Sequence, residues 1–269
     1  MNGDVAASAR AFPALLRTGF ADAVAYRAEF LVWVLTTNMP LVMLALWNAV
    51  ARDAPVGNWS GEGFVAYYLG ALIVRLVTSA WVAWEMTFEI RQGVMPTRLL
   101  RPLNPLVHYA AENLAALPLR ALVSLPVAAI LLYTVGRAQL TQDPVLLAVF
   151  ALSLAGAWLL TFLAMATIGS LAMLVQSAVS LVEVWFGLFS VLSGYLVPLD
   201  LLPKWLAAIA AWLPFQLLLS FPVRTLLGRI SRADALGLLG LQAAYVAVFF
   251  LLLTVVWREG TRRYSAFGG

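Results

Sequence analysis

From Val145 to Val197 the chain carries a single charged side chain, Glu183. An apolar stretch of that length is too long for one membrane crossing of about 20 residues and suits two crossings joined by a tight turn. The turn is expected around Gln176 to Ser180. Composition extends the argument to the whole chain, which is 63% hydrophobic and 11% charged over 269 residues. Soluble domains are near half apolar and a quarter charged. The expected fold is therefore an all-α integral membrane protein with six transmembrane helices and no room for a second, water-soluble domain. The sequence has no cysteine, which excludes a disulfide framework, thiolate metal sites and thiol chemistry.

The remaining spans fall between charged or proline-rich stretches. The first runs from about Phe30 to Val50 and the second from about Phe64 to Trp84, with Arg75 inside it. The third covers about Leu117 to Val135, and the sixth about Leu236 to Trp257. Residues 1–29 hold Arg10, Arg17 and Arg27 without an uninterrupted apolar core, so no cleavable signal peptide is expected. From Ala11 onward, Phe12, Leu15, Leu16, Phe20 and Ala23 share one helical face, as in a helix lying in the membrane interface. Pro13 is expected in its first turn, and Gly19 is expected to weaken it.

Orientation follows from the concentration of arginine on cytoplasmic loops. With the N-terminus inside, Arg10, Arg17, Arg27, Arg91, Arg98, Arg101, Arg120, Arg258, Arg262 and Arg263 all face the cytoplasm. Both termini are then cytoplasmic, and Arg52 and Arg137 are left in short outer loops. The connection from 198 to 233 runs against the rule with Lys204, Arg224, Arg229 and Arg232, but its length reduces its weight. Pro203, Pro214 and Pro222 cut it into pieces too short to span. Proline in lipid leaves backbone groups unsatisfied unless protein surrounds them. An outer re-entrant or surface-lying helical hairpin meets both conditions.

The run from Glu85 to Arg120 is polar and helix-broken between long apolar segments, a suitable docking place for a soluble partner. Together with Ser193–Arg224, which contains a small-residue pair, a proline, Leu-Pro-x-Trp-Leu and a further proline, it resembles a known pattern. Glu89-Ile-Arg-Gln-Gly93, Leu99-Leu-Arg-Pro-Leu-Asn-Pro105 and the tail Trp257–Tyr264 add to it. The chain resembles the permease subunits of type-2 ABC exporters, in particular a small six-span bacterial branch. The resemblance implies a cytoplasmic-membrane protein that pairs with a second permease, a heteromer being favoured over a homodimer, and rests a coupling helix on separate ABC ATPase subunits. No GxxxxGK[ST] phosphate loop is present, so no cofactor is expected on this chain, and ATP and Mg belong to the partner. Membrane lipids are expected contacts, and nucleic acid is not.

Within the 85–116 loop the resemblance makes Glu89, Arg91, Gly93, Arg98, Leu99 and Arg101 candidates for ATPase coupling. The same charges could serve only to hold the topology. Arg75, Trp81, Glu183 and Tyr195 are candidates for the substrate pathway. A charge as deep as Arg75 is costly and functional by default. Glu183 is an obvious partner, but the two side chains lean toward opposite membrane faces, which favours a polar cavity around Arg75. His108, the only histidine, has too few neighbours for a metal site or a catalytic triad. The ten tryptophans fit an aromatic belt. A hydrophobic or amphipathic cargo exported by ATP is the leading reading. A self-powered secondary transporter or channel would call for internal repeats and more intramembrane charge. An intramembrane enzyme would call for a deep His, Asp or Glu cluster.

Overall fold

The computed structural model describes residues 2–25, 38–134, 139–175 and 178–264. Residues 30–37 of the expected first span, its flanking Arg27 and Glu29, Gly136 with Arg137, and Gln176 of the expected turn lie outside them. The chain begins with α1 (Asn2–Ala25), followed by α2 (Met39–Val50), α3 (Gly61–Thr78) and α4 (Val82–Arg91). The polar segment that follows contributes α5 (Met95–Leu99) and α6 (Pro105–Ala115), continued by α7 (Leu117–Thr134). Next come α8 (Pro144–Leu171), α9 (Ala178–Leu192), a 3₁₀ turn at Leu199–Leu201, α10 (Lys204–Trp212), α11 (Phe215–Leu218), α12 (Ser220–Leu226) and α13 (Arg232–Arg263). No strand occurs among the described residues.

Among the described residues, three elements are long and apolar enough to cross a membrane: the α3–α4 unit Gly61–Arg91, α8 and α13. A bent pair, Pro105–Leu122 with Leu125–Thr134, makes a fourth. The helices α2 and α9 are apolar but shorter. At 1.5 Å per residue, the 31 residues of α3–α4 exceed the roughly 30 Å of hydrocarbon. This unit is also the middle of the molecule: 78% of its apolar window is buried, against 11% for α13. Exposed Val42, Leu46, Leu122, Ile130, Val184, Phe250, Leu251 and Val255 clothe the outside in apolar surface, which suits lipid rather than water.

Two apolar clusters stack along the central unit. One gathers Trp59, Phe64, Tyr67, Tyr68, Phe215 and Phe221 about α3, and the other Val82, Met86, Ile90, Met95, Tyr109 and Phe162 about α4. Between them lie buried Arg75, Thr78 and Ser79. Among the described residues the chain leaves α8 at 172–175 and is helical again from Ala178, inside the stretch where the turn was expected.

At the N-terminus, helix begins at Asn2 rather than near Ala11, so Pro13 lies inside α1. Gly19 has a packing role that outweighs its low helix propensity: α1 lies against α6, and a Cβ on Gly19 would come within 3.0 Å of the Ala115 Cβ. Much of the expected 85–116 loop is also helical, since α4 extends to Arg91 and α6 starts at Pro105. Asn104 caps α6 by accepting from the Leu106 N–H, with Pro105 in the first position, where its missing donor costs nothing.

Proline punctuates the connection after α9 largely as its position predicts. Pro203 and Pro214 immediately precede α10 and α11, while Pro222 sits in the first turn of α12. Trp205 and Trp212 of α10 are 66% and 83% exposed, whereas residues 214–223 are buried. The carbonyl of Leu217, where α11 ends, accepts from Gln242 Nε2 on α13 at 2.9 Å, and the same nitrogen reaches Ser153 O on α8 at 3.0 Å. Gly156 makes room for this amide, because a Cβ there would stand 2.4 Å from Gln242 Oε1. The Tyr245 hydroxyl donates to Trp212 O. Protein thus supplies the partners that lipid cannot.

Candidate functional site

The central helix is interrupted at Ser79–Trp81, where Ser79 turns to an extended conformation at ψ 134°. The interruption releases backbone groups, and residues from the following segment take them up. Arg120 Nη1 donates to Ser79 O at 2.8 Å and to Ser79 Oγ at 3.2 Å. The Trp81 N–H donates to Asn113 Oδ1 at 3.3 Å, and Asn113 Nδ2 in turn donates to Tyr109 O. Arg120, expected only as a cytoplasmic charge, therefore holds the break in the second span. Neither its role nor that of Asn113 had a sequence signal, because side-chain caps on a broken span follow no fixed spacing.

Arg75 lies one turn before the break, with 9% of its surface exposed. Its guanidinium carbon stands 5.5 Å from the Phe186 ring centroid and 5.0 Å from that of Phe189. The Tyr195 hydroxyl faces the guanidinium as its polar neighbour, while Nε is buried without a hydrogen-bond partner. Trp81 packs on Phe186, centroids 6.1 Å apart. The structure thus brings Arg75, Trp81 and Tyr195 together around two phenylalanines of α9. Glu183 does not join them: it is exposed on α9, and no described carboxylate forms an ion pair with Arg75. A cation over aromatic faces gains roughly 0.5–2 kcal/mol, which offsets only part of the cost of desolvating a guanidinium.

Tyr195 belongs to a loop, 193–197, that neighbouring aromatics pin in place. Tyr67 donates to Gly194 O and Tyr68 to Leu196 O, each at 2.8 Å. Trp47 Nε1 also donates to Leu196 O at 3.0 Å, and the Ser220 N–H to Ser193 O at 3.1 Å. Gly194 has φ +87°, a conformation natural to glycine and strained for other residues. The aromatic pair Tyr67–Tyr68 and Trp47 could be read from the sequence only as membrane-embedded rings.

On the 85–116 segment the six coupling candidates divide. Glu89 and Arg98 turn toward each other: Arg98 Nη2 and Nε donate to Glu89 Oε1 at 2.6 and 3.0 Å. The Tyr109 hydroxyl donates to Glu89 Oε2. The Arg98 guanidinium lies 4.5 Å from the centroid of the Tyr109 ring and 3.5 Å from Glu112, which also pairs with His108 at 3.0 Å. Burial works against the Arg98 charge, but the Glu89 hydrogen bond and Glu112 more than compensate and hold its pKa above the ordinary value. Gly93 supplies the turn into α5 at φ +70°. Arg91, Leu99 and Arg101 are exposed, as is the intervening Leu100 at 86%. The loop is thus tied from within by Glu89, Arg98, Tyr109, Glu112 and His108 and presents a mixed basic and apolar outer edge.

No curated protein matches the chain. Residues 34–268 match the family described as ABC-2 family transporter protein. That match takes in the central α3–α4 unit, the polar waist at Arg75 and the whole 85–116 segment, and the apolar exterior agrees with a multi-pass membrane component. The chain belongs to the ABC-2 family of transporter proteins and is a membrane permease component of an ABC transporter.

Proposed function

We propose that the chain is the permease subunit of an ATP-driven exporter that moves a hydrophobic or amphipathic compound out of the cytoplasm or inner leaflet. Drug-like molecules, lipids and glycolipids belong to that cargo class. The observation that carries the reading is the waist of the central helix, where a buried guanidinium meets aromatic rings and a phenol. An aromatic-walled cation suits an amphiphile whose polar or anionic group passes an apolar wall. Six spans, cytoplasmic termini, an outward re-entrant hairpin and a bacterial cytoplasmic membrane complete the proposal. Arginine distribution and the short proline-bounded helices α10 to α12 support it.

A second permease, a related chain rather than an identical one, supplies the other wall of the pathway. ABC ATPase subunits dock on the exposed edge formed by Arg91, Leu99, Leu100 and Arg101. The test is transport into inside-out vesicles that carry the complex, with a fluorescent amphiphilic dye as probe. ATP-dependent accumulation that falls several-fold in Arg75→Leu but is kept by Arg75→Lys is expected. Accumulation driven by an ion gradient without ATP would instead favour a secondary transporter.

A further inference from the structure

The connection between α9 and α13 carries four basic residues in the segment whose charge runs against its expected outer location. Two of them are accounted for by the fold. Arg232 forms a two-pronged pair with Asp143 at 2.6 and 3.0 Å, joining the starts of α13 and α8. Lys204 opens α10 at an exposed position. Arg224 and Arg229 remain, and both line one cleft of about 620 Å³. We propose that this cleft binds the phosphate headgroup of an anionic membrane lipid.

Both arginines are held in place by the fold. The Arg229 guanidinium carbon lies over the Trp59 ring, 3.8 Å from the centroid. Gly63 leaves the space it occupies, since a Cβ there would stand 2.9 Å from Arg229 Nη2. Arg224 projects from α12, and its Nε is buried without a hydrogen-bond partner. Neither arginine has a described carboxylate within ion-pair distance, although Asp200 acts on Arg229 from farther away. The carboxylate in the cleft, Asp234, is occupied at the α13 cap, where it accepts from the Ser231 hydroxyl at 2.6 Å. Two guanidiniums thus face one carboxylate, and guanidinium donors match phosphate oxygens in geometry and charge.

The walls argue for a lipid rather than a free anion. Leu238 and Leu241 of α13 border the cleft beside the arginines. From there an exposed apolar stripe continues along α13 through Val248, Leu252 and Val255, at the three- and four-residue spacing of one helix face. A headgroup held by Arg224 and Arg229 would lay its acyl chain on that stripe.

The full chain, purified with its complex and exchanged into mixed phosphatidylglycerol and phosphatidylcholine, gives the test by native mass spectrometry. Preferential retention of phosphatidylglycerol is expected, with affinity reduced roughly tenfold or more in Arg224→Gln with Arg229→Gln, the loss expected of charge-assisted hydrogen bonds. Arg232→Gln should keep the preference, because Arg232 is engaged with Asp143, and Arg224→Lys should keep most of it. If the double variant unfolds, Arg224→Gln alone decides, since Arg224 carries no aromatic stack. Inorganic phosphate at millimolar concentration should not displace the lipid. Equal retention of both lipids, or wild-type retention by the folded variant, would overturn the site. Displacement by phosphate alone would overturn its assignment to lipid.

Discussion

At Gly194 an added Cβ would stand 2.3 Å from the Tyr67 hydroxyl, on a backbone already at φ +87°. Gly194→Ala should therefore destabilise the chain by about 2 kcal/mol or more, through strain and overlap together. It should also displace Tyr195 from Arg75, so thermal unfolding in detergent and transport should both worsen. Gln242 offers a second residue-scale check. Gln242→Leu leaves the Leu217 carbonyl buried without its partner, a cost of about 1–3 kcal/mol, and a lowered unfolding temperature is the expected result. Arg75 was legible as an unusual residue because a charge deep in a span is rare. Its aromatic neighbours Phe186 and Phe189 were not, since phenylalanine is as common on lipid-facing as on buried helix surfaces. Glu183, the other charge inside an expected span, lies about 4.5 Å of helix rise from Phe186 on an exposed position, apart from Arg75.

Among the elements, the break in the central helix had no clear signature. Ser79-Ala80-Trp81 contains neither glycine nor proline, and the interruption depends on Arg120 and Asn113 from another segment. Arg120→Gln should weaken the complex in thermal unfolding, whereas Arg120→Lys should restore part of the loss by donating to Ser79 O. The proline-bounded helices α10 to α12 were far more legible, because proline forbids a helix interior in a way that local sequence shows directly. The 85–116 segment was legible as a polar, helix-broken stretch, but the contacts among its charges were not. Charge alone does not distinguish Arg98, tied to Glu89, from exposed Arg101. Arg101→Glu with Leu100→Glu should cut ATP hydrolysis by the assembled complex several-fold while leaving insertion intact. Glu89→Gln should act differently, by loosening the loop itself and lowering its resistance to proteolysis.

For the molecule as a whole, an apolar helical exterior follows from composition, whereas the burial of the central helix does not, and the family match from residue 34 to 268 agrees with the permease resemblance. Assembly was less legible, because partner surfaces on a membrane protein are apolar in the same way as lipid-facing ones. Topology is open to direct measurement in a chain without cysteine. Single cysteines at Asp200 and Thr261 should be labelled by an impermeant reagent in intact cells only at position 200, and labelling at 261 would reverse the proposed tail. The chain is proposed to be the membrane half of an ATP-driven machine. Affinity purification of the tagged chain from its native membrane, followed by assay of ATP hydrolysis in the eluate, tests this. A co-purifying ATP-binding chain is expected, with hydrolysis that disappears when that chain is removed. Purification of the permease free of any ATPase, with ATP-independent transport of the amphiphilic dye in vesicles containing it alone, would contradict it.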